Sequence, residues 1–267
     1  MGARLTAGES LSGWTPGRGL GRQADPAADG PLLAADSWLV RDGRVRAYGR
    51  HRERFLRACA ECGGPGQHRL VEFWADVTAA LPRSGTWFPR VELASGPPEL
   101  RLRLRPAPPL GAEIRVWSVG QQDPRTAPRR KGPALGALAR VRAGASGAGG
   151  QEAVLVTPSG VVLEAPTASV LWWEDGTLCL PPPRLPLLPG VTAGLVQERA
   201  VRHGIRIAHR ERTLAALDGR EVWLVNALHG IRPVTGWAGG ELAAGPALRA
   251  AEWREWLESL TEPLPDK

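Results

Sequence analysis

The chain has 267 residues, 43% hydrophobic and 23% charged, enough apolar material for one large core or two modest ones, which excludes a disordered or fibrous class. No apolar run reaches the ~18 residues of a membrane span, and Met1 to Gly19 lacks the apolar middle of a signal peptide, so a cytoplasmic protein with no membrane partner is expected. The formal charge is +7. Its arginines are interleaved with Asp and Glu rather than gathered beside stacking aromatics, so no nucleic-acid partner is expected; a small anionic substrate suits the positive field better.

In chain order, residues 1–30 read as a loose tail of small and polar residues, 31–106 as a small α+β domain and 107–267 as a larger domain. The segment from Asp36 to Ala47 predicts two short strands about an Asp42-Gly43 turn. A helix is expected over His51–Glu61, with Phe55, Leu56 and Cys59 on one face, and a second over Leu70–Leu81. Thr86–Ala94 and Glu99–Arg105 alternate as strands; in the latter Leu100, Leu102 and Leu104 oppose Arg101, Arg103 and Arg105, the pattern of a half-exposed antiparallel strand. Pro106 to Gly111 breaks both helix and strand and reads as a linker.

Beyond the linker, a strand is expected over Glu113–Val119, a polar loop over Gln121–Pro133, a helix over Leu135–Ala143 and a flexible turn over Gly144–Gly150. Strand pairs follow about Ser159-Gly160 and Asp175-Gly176. A helix runs from the Leu188–Thr192 turn to His203, strands cover Ile205–His209 and Glu221–Val225, and a helix over Ala247–Leu260 closes the chain. Many hairpins without βαβ alternation indicate α+β. Trp172, Trp173, Trp223 and Trp237 are expected in cores or at an interface. Cys59 and Cys62 form a CxxC in a helix with no second ligand pair, so no metal site is expected and the cysteines read as small helix residues.

Only two lysines occur, Lys131 and the terminal Lys267; every other basic residue is arginine. Arginine replaces lysine as a solubilising cation, but its guanidinium cannot lose a proton and attack a carbonyl. Lys131 in Pro128-Arg-Arg-Lys-Gly-Pro is therefore a candidate for Schiff-base chemistry, against the plain reading of a solvated loop lysine. Glu164 follows 33 positions later at the end of a predicted strand. Leu188-Pro-Gly-Val191-Thr192 is a turn feeding a helix N-terminus, where free N–H groups and a hydroxyl can hold a phosphate. Asn226-Ala227-Leu228 leads from a strand into a loop. Taken singly, Glu164, Thr192 and Asn226 also read as a turn carboxylate, a helix cap and a turn former.

In this order, the motifs resemble the class IV aminotransferase family, also called pyridoxal-phosphate (PLP) fold type IV, over about Ala35–Pro246. The resemblance implies an α+β fold of two domains, the larger with a mainly antiparallel, barrel-like sheet, a PLP cofactor, and a homodimer. It implies that Arg54, in His51-Arg-Glu-Arg54-Phe, grips the cofactor phosphate, that Lys131 forms the Schiff base and that Glu164 pairs with the pyridinium nitrogen. It also implies that Val191 and Thr192 bind the phosphate, and that Asn226 and Ala227 contribute a second cofactor-contacting loop. Arg90, Asn226 and Leu228 are the expected substrate contacts, with Arg232 a lesser one; His229 reads as an exposed turn residue that could instead face the pocket.

Three departures bear on the reaction. Gly136 replaces the tyrosine that many transaminases carry five residues after the lysine, and the sole tyrosine is Tyr48. Ala227 replaces a hydroxyl residue, and Asp36-Ser37 stands where the family has Gly-Asp-Gly. Asn226-Ala227-Leu228 followed by Pro233-Val234 is similar to the loop of 4-amino-4-deoxychorismate lyases, so the expected reaction is elimination of pyruvate from 4-amino-4-deoxychorismate to give 4-aminobenzoate. The alternatives are transamination of a branched-chain or D-amino acid, and a relative without catalysis.

Overall fold

The structure, a computed structural model, describes residues 8–22, 30–97 and 99–266. The chain forms two compact units, one of Met1–Pro109, Arg130–Pro133 and Leu260–Lys267, the other of Leu110–Arg129 and Ala134–Ser259.

The elements of the first unit are β1 (Ser10–Thr15), β2 (Gly19–Arg22), β3 (Leu32–Ser37), β4 (Val40–Arg41), β5 (Arg44–Arg46), α1 (Tyr48–Glu61), α2 (Gln67–Ala80), β6 (Thr86–Trp87), β7 (Arg90–Ala94) and β8 (Leu100–Leu104). The second unit carries β9 (Ile114–Trp117), β10 (Gln121–Gln122), α3 (Leu135–Gly147), β11 (Leu155–Val156), β12 (Glu164–Ala165), β13 (Ala168–Glu174), β14 (Thr177–Leu180), α4 (Val191–Arg202) and β15 (Ile207–His209). It continues with β16 (Val222–Asn226), β17 (Gly230–Ala238) and α5 (Ala250–Ser259), after which β18 (Thr261–Pro263) belongs again to the first unit.

In the first unit a five-stranded antiparallel sheet, β2-β1-β8-β7-β3, and a four-stranded one, β18-β5-β4-β6, accompany the two helices. Helix α1 buries Tyr48, His51, Phe55, Ala58 and Cys59, and α2 buries Leu70, Phe73, Trp74, Val77 and Thr78, the spacing of one helical face. Trp38, Phe55, Phe73 and Trp74 form its aromatic core, each contributing on the order of 2–3 kcal/mol by burial.

The second unit is built on the open sheet β15-β14-β13-β16-β17-β9, with β12 paired to β13; the edges β15 and β9 do not close on each other. Its inner strands are antiparallel, and β14–β15 and β17–β9 are parallel. The fold is thus mixed α+β, but the expected barrel-like sheet is an open one. Trp172, Trp173, Trp223 and Trp237 are all buried.

Both Asp-Gly turns form as read. Asp42 and Gly43 have φ of 47° and 70°, and Asp175 and Gly176 have 49° and 75°, the two positive values that match the twist of a tight hairpin. Elsewhere tertiary contacts moved the boundaries. Part of the expected loose tail is ordered: β1 and β2 join the sheet through β8, and the rest of residues 1–30 lies largely outside the described residues. Strand β8 is not half-exposed. Arg101 and Arg103 are buried with the leucines, because Glu92 and Glu9 give Arg103 carboxylate partners at 3.1 and 3.0 Å. Helix α3 continues through the expected Gly144–Gly150 turn as far as Gly147, and β17 occupies nine residues where a loop was expected.

Candidate active site

In the first unit, Lys131 is placed by its own main chain. The Ala35 N–H of β3 donates to the Lys131 carbonyl at 2.7 Å. A Cβ on Gly132 would lie 2.8 Å from Ala34 C and Ala35 N, and Gly132 has φ of 128°, so only glycine lets residues 130–133 press this closely onto the strand. The Lys131 amine makes no hydrogen bond or ion pair among the described residues. Burial, assisted by the charges of Arg54, Arg105 and Arg90 and opposed by Asp36, lowers its pKa to about 8. Near physiological pH an amine with this pKa is mostly protonated, but its neutral, nucleophilic fraction is far larger than that of an ordinary lysine.

Beside it, Asp36 is fully buried at the end of β3. Its carboxylate accepts Arg54 Nε at 2.7 Å, Arg54 Nη2 at 2.8 Å, His51 Nδ1–H at 2.8 Å and the Ser37 N–H at 2.7 Å. Burial alone would raise its pKa, but Arg54 and His51 hold it far below the carboxylate range. Burial likewise keeps His51 below its ordinary value, against the pull of Asp36. Three residues bring this about: His51 and Arg54, three apart on α1, share one face of the helix, and Asp36 meets both.

Arg90, the expected substrate contact, is not a free cation. Its Nε and Nη2 both reach Glu92 Oε1, at 2.6 and 2.5 Å. Arg105, which the alternation of β8 presented only as a solvent residue, has no carboxylate partner among the described residues. Its Nε donates to the Phe88 carbonyl at 2.9 Å, and the guanidinium lies 4.8 Å from the Phe88 ring centre. Burial and the neighbouring Arg90 lower its pKa to about 10.

In the second unit, Ser169 gathers three of the predicted segments. In register it faces Glu164 on one side and Val225, the neighbour of Asn226, on the other. A Cβ on Gly190 would come 2.6 Å from its Oγ. Glu164 is buried, and its Oε1 accepts Arg125 Nη1 at 2.5 Å and the Leu188 N–H at 2.9 Å. Oε2 has no partner among the described residues. Burial raises the carboxyl to about 7 despite Arg125. Arg125 is itself clamped by Asp123 through Nε and Nη2, at 2.8 and 2.7 Å. Two carboxylates around one guanidinium leave the cluster a net negative charge when both are ionised.

The Leu188 turn leads into α4, whose Gly190 cap supplies no side-chain hydrogen bond to the first turn. Thr192 is buried in that turn, with a hydroxyl that has no partner among the described residues; Val191 is half-buried. The Asn226 side chain is spent on its own loop: Oδ1 accepts the Leu228 and His229 N–H groups at 3.1 and 2.8 Å, and Nδ2 donates to Thr167 O at 3.2 Å. Ala227 and Leu228 are half-buried in that loop. His229 is half-buried as well, not exposed; its Nδ1 accepts the Gly111 N–H at 3.2 Å, and burial, with Arg232, lowers it to about 4. Arg232 is buried in β17 with its Nε unpartnered.

The sequence model of the family described as "Amino-transferase class IV" matches residues 33–237. The chain belongs to the class IV aminotransferase family. Among solved structures it is similar in fold to a hypothetical aminotransferase from Mycobacterium tuberculosis, at 20% identity, with 97% of this chain and 100% of that one covered and a TM-score of 0.76. It is also similar to the branched-chain amino acid aminotransferase from Escherichia coli (17% identity, 95% and 94% covered, TM-score 0.75). A third likeness is to a Legionella pneumophila protein described as a candidate 4-amino-4-deoxychorismate lyase (16% identity, 85% and 90% covered, TM-score 0.72). No curated protein matches the chain in sequence.

The cofactor of this family is PLP, and the M. tuberculosis relative has also been solved with PLP bound. The residues here fit that group. Each unit by itself offers chemistry of that kind: the first a lysine amine of lowered pKa, and the second a buried carboxylate with one oxygen unpartnered and an uncapped helix N-terminus with an unpartnered hydroxyl, among the described residues. The sequence reading missed Asp36 as the partner of Arg54, and also Arg125 and Arg105. Asp123-Pro-Arg125, an opposite-charge pair two residues apart in the polar loop, was the signal available for the second.

Proposed function

We propose that the chain is a PLP-dependent lyase that converts 4-amino-4-deoxychorismate to 4-aminobenzoate and pyruvate. The observation that carries this reading is the fate of tyrosine. Gly136 offers no hydroxyl, and the one tyrosine, Tyr48, is buried against Trp38 and Trp74 with its hydroxyl 2.8 Å from Thr78 Oγ1. A phenol, which many transaminases of the family keep five residues after the lysine, is thus not provided from elsewhere in the chain. The loop from Asn226 to Leu228 and the likeness to the L. pneumophila protein support the same reading.

When bound, PLP supplies an electron sink for the carbon that bears the substrate amine. The Val191–Thr192 turn and Arg54, oriented by Asp36, are the residues proposed to hold its phosphate, and Glu164 Oε2 to meet its ring nitrogen. Lys131 Nζ takes the proton from the amine-bearing carbon. The bond from the ring to the enolpyruvyl oxygen then breaks, the six-membered ring becomes aromatic, and the departing enolpyruvate takes up a proton, from Lys131, to leave as pyruvate. Atoms balance without an oxidant or amino acceptor. Arg105, which has no carboxylate partner among the described residues and whose charge acts on Lys131, is the residue proposed to attract the substrate carboxylates; Arg90 is already neutralised. The proposed assembly is a homodimer in the cytoplasm.

The second reading, transamination of a branched-chain or D-amino acid, is favoured by the likeness to the E. coli branched-chain enzyme. Purified protein supplied with aminodeoxychorismate alone should release pyruvate. Strict dependence of product formation on a keto acid overturns the lyase reading.

A further inference from the structure

The second unit contains a cavity of roughly 220 Å³ lined by Trp173, Arg199, His203, Arg249, Glu252 and Trp253. It is distinct from the Leu188–Thr192 turn. Arg199 and Thr192 are seven residues apart on α4, so the two features are separated by about 10 Å along the helix axis.

The walls are aromatic. Trp173, Trp223 and Trp253 pack with ring centres 5.4 to 5.7 Å apart. Both arginines lie on indole faces: Arg249 is 4.5 Å from the Trp173 ring centre, and Arg199 is 5.0 Å from that of Trp253 and 4.8 Å from that of Trp256. Stacking fixes the guanidinium planes and leaves their edges to bond in the plane. Trp173 is buried to 5% exposure, and its indole N–H has no hydrogen-bond partner among the described residues.

The polar groups of this lining are mostly donors. The one carboxylate among them, Glu252, holds Arg199 at 2.5 Å, but its side chain is 72% exposed, so water screens that pair and a ligand can replace it at little cost. Arg249 touches Glu221 at 3.3 Å. Glu221 Oε1 accepts Trp223 Nε1 and the N–H groups of Arg249 and Ala250 at the start of α5, while Oε2 keeps Arg249 Nη1 as its partner, so a ligand on Arg249 shares the guanidinium with Glu221.

We propose that this cavity is a binding site for a small aromatic carboxylate, separate from the Lys131 chemistry. The indoles take the ring, and Arg199 and Arg249 take the carboxylate in place of Glu252. The volume lies below the ~300–1,000 Å³ of drug-sized pockets, so the ligand is a single ring with few substituents.

Tryptophan fluorescence titrated with benzoate at constant ionic strength tests this. Wild type and Lys131→Ala should show the same saturable quenching, with one site per chain. Arg249→Gln should weaken binding tenfold or more, whereas Glu252→Gln should tighten it about threefold, a gain that damaged folding cannot produce. Acetate, which lacks the ring, and inorganic phosphate should each bind at least tenfold more weakly. The proposal is overturned by absence of saturation, by equal affinity in wild type, Arg249→Gln and Glu252→Gln, by loss of binding in Lys131→Ala, or by phosphate binding as tightly as benzoate.

Discussion

Replacing Lys131 by methionine in the cofactor-free protein should stabilise it, and by an amount that depends on pH. Folding lowers the amine from 10.5 to about 8. At pH 7 the lysine is protonated in both states, so the folded state carries a cation in an environment that disfavours it by about 3 kcal/mol, at 1.36 kcal/mol per pKa unit. Between pH 8 and 10.5 the folded protein has released this proton while the unfolded chain keeps it, so stability rises with pH across that window. Methionine has a similar unbranched shape and no charge to desolvate. Urea unfolding should therefore find Lys131→Met about 3 kcal/mol more stable at pH 7 and nearly equal to wild type at pH 10.5. Equal stability at both pH values, or a less stable variant at pH 7, would refute the assignment of Lys131 as a buried amine whose pKa folding lowers.

Three further outcomes follow from named contacts. Asp36→Asn leaves Arg54 without its buried counter-ion and should cost about 3–5 kcal/mol in urea unfolding, while the Lys131 amine, losing an attractive charge, titrates below about 8 by cofactor-binding pH profile. Gly132→Ala places a methyl against the β3 backbone at a φ of 128° and should cost about 1–3 kcal/mol, with weaker PLP binding in equilibrium dialysis; unchanged stability would mean that the loop is not held against the strand. Arg125→Met removes the guanidinium that lowers Glu164, so its carboxyl should titrate above about 7, visible as a protonated C=O stretch at pH 7 in infrared difference spectra against Glu164→Gln. Arg125→Lys, which keeps the charge, should restore the carboxylate signal.

The helices and tight turns were legible because their determinants are local. Phe55 and Cys59 on one helical face, and Asp-Gly pairs that accept positive φ, act through neighbours a few residues away. The boundaries of α3 and the nine residues of β17 were not, since glycines and a Pro-containing loop have weak preferences of their own and are ordered by contacts far along the chain. The arginines of β8 show the same limit. Alternation with leucine implied solvent on one face, but the Glu92 and Glu9 carboxylates that make burial tolerable lie 11 and 94 residues away.

The sequence by itself determined the chemistry on offer. A single internal lysine, a glutamate 33 residues later and a Pro-Gly-Val-Thr turn are types and spacings that no folding can alter, and they identify the family. Only the tertiary structure decided which of these groups are available. Arg90 is neutralised by Glu92 and Asn226 is consumed by its own loop, while among the described residues Lys131 is left unpaired and Arg105 without a carboxylate partner. The reason is that a side chain's reactivity depends on burial and on its nearest charges, and both are set by residues distant in the chain.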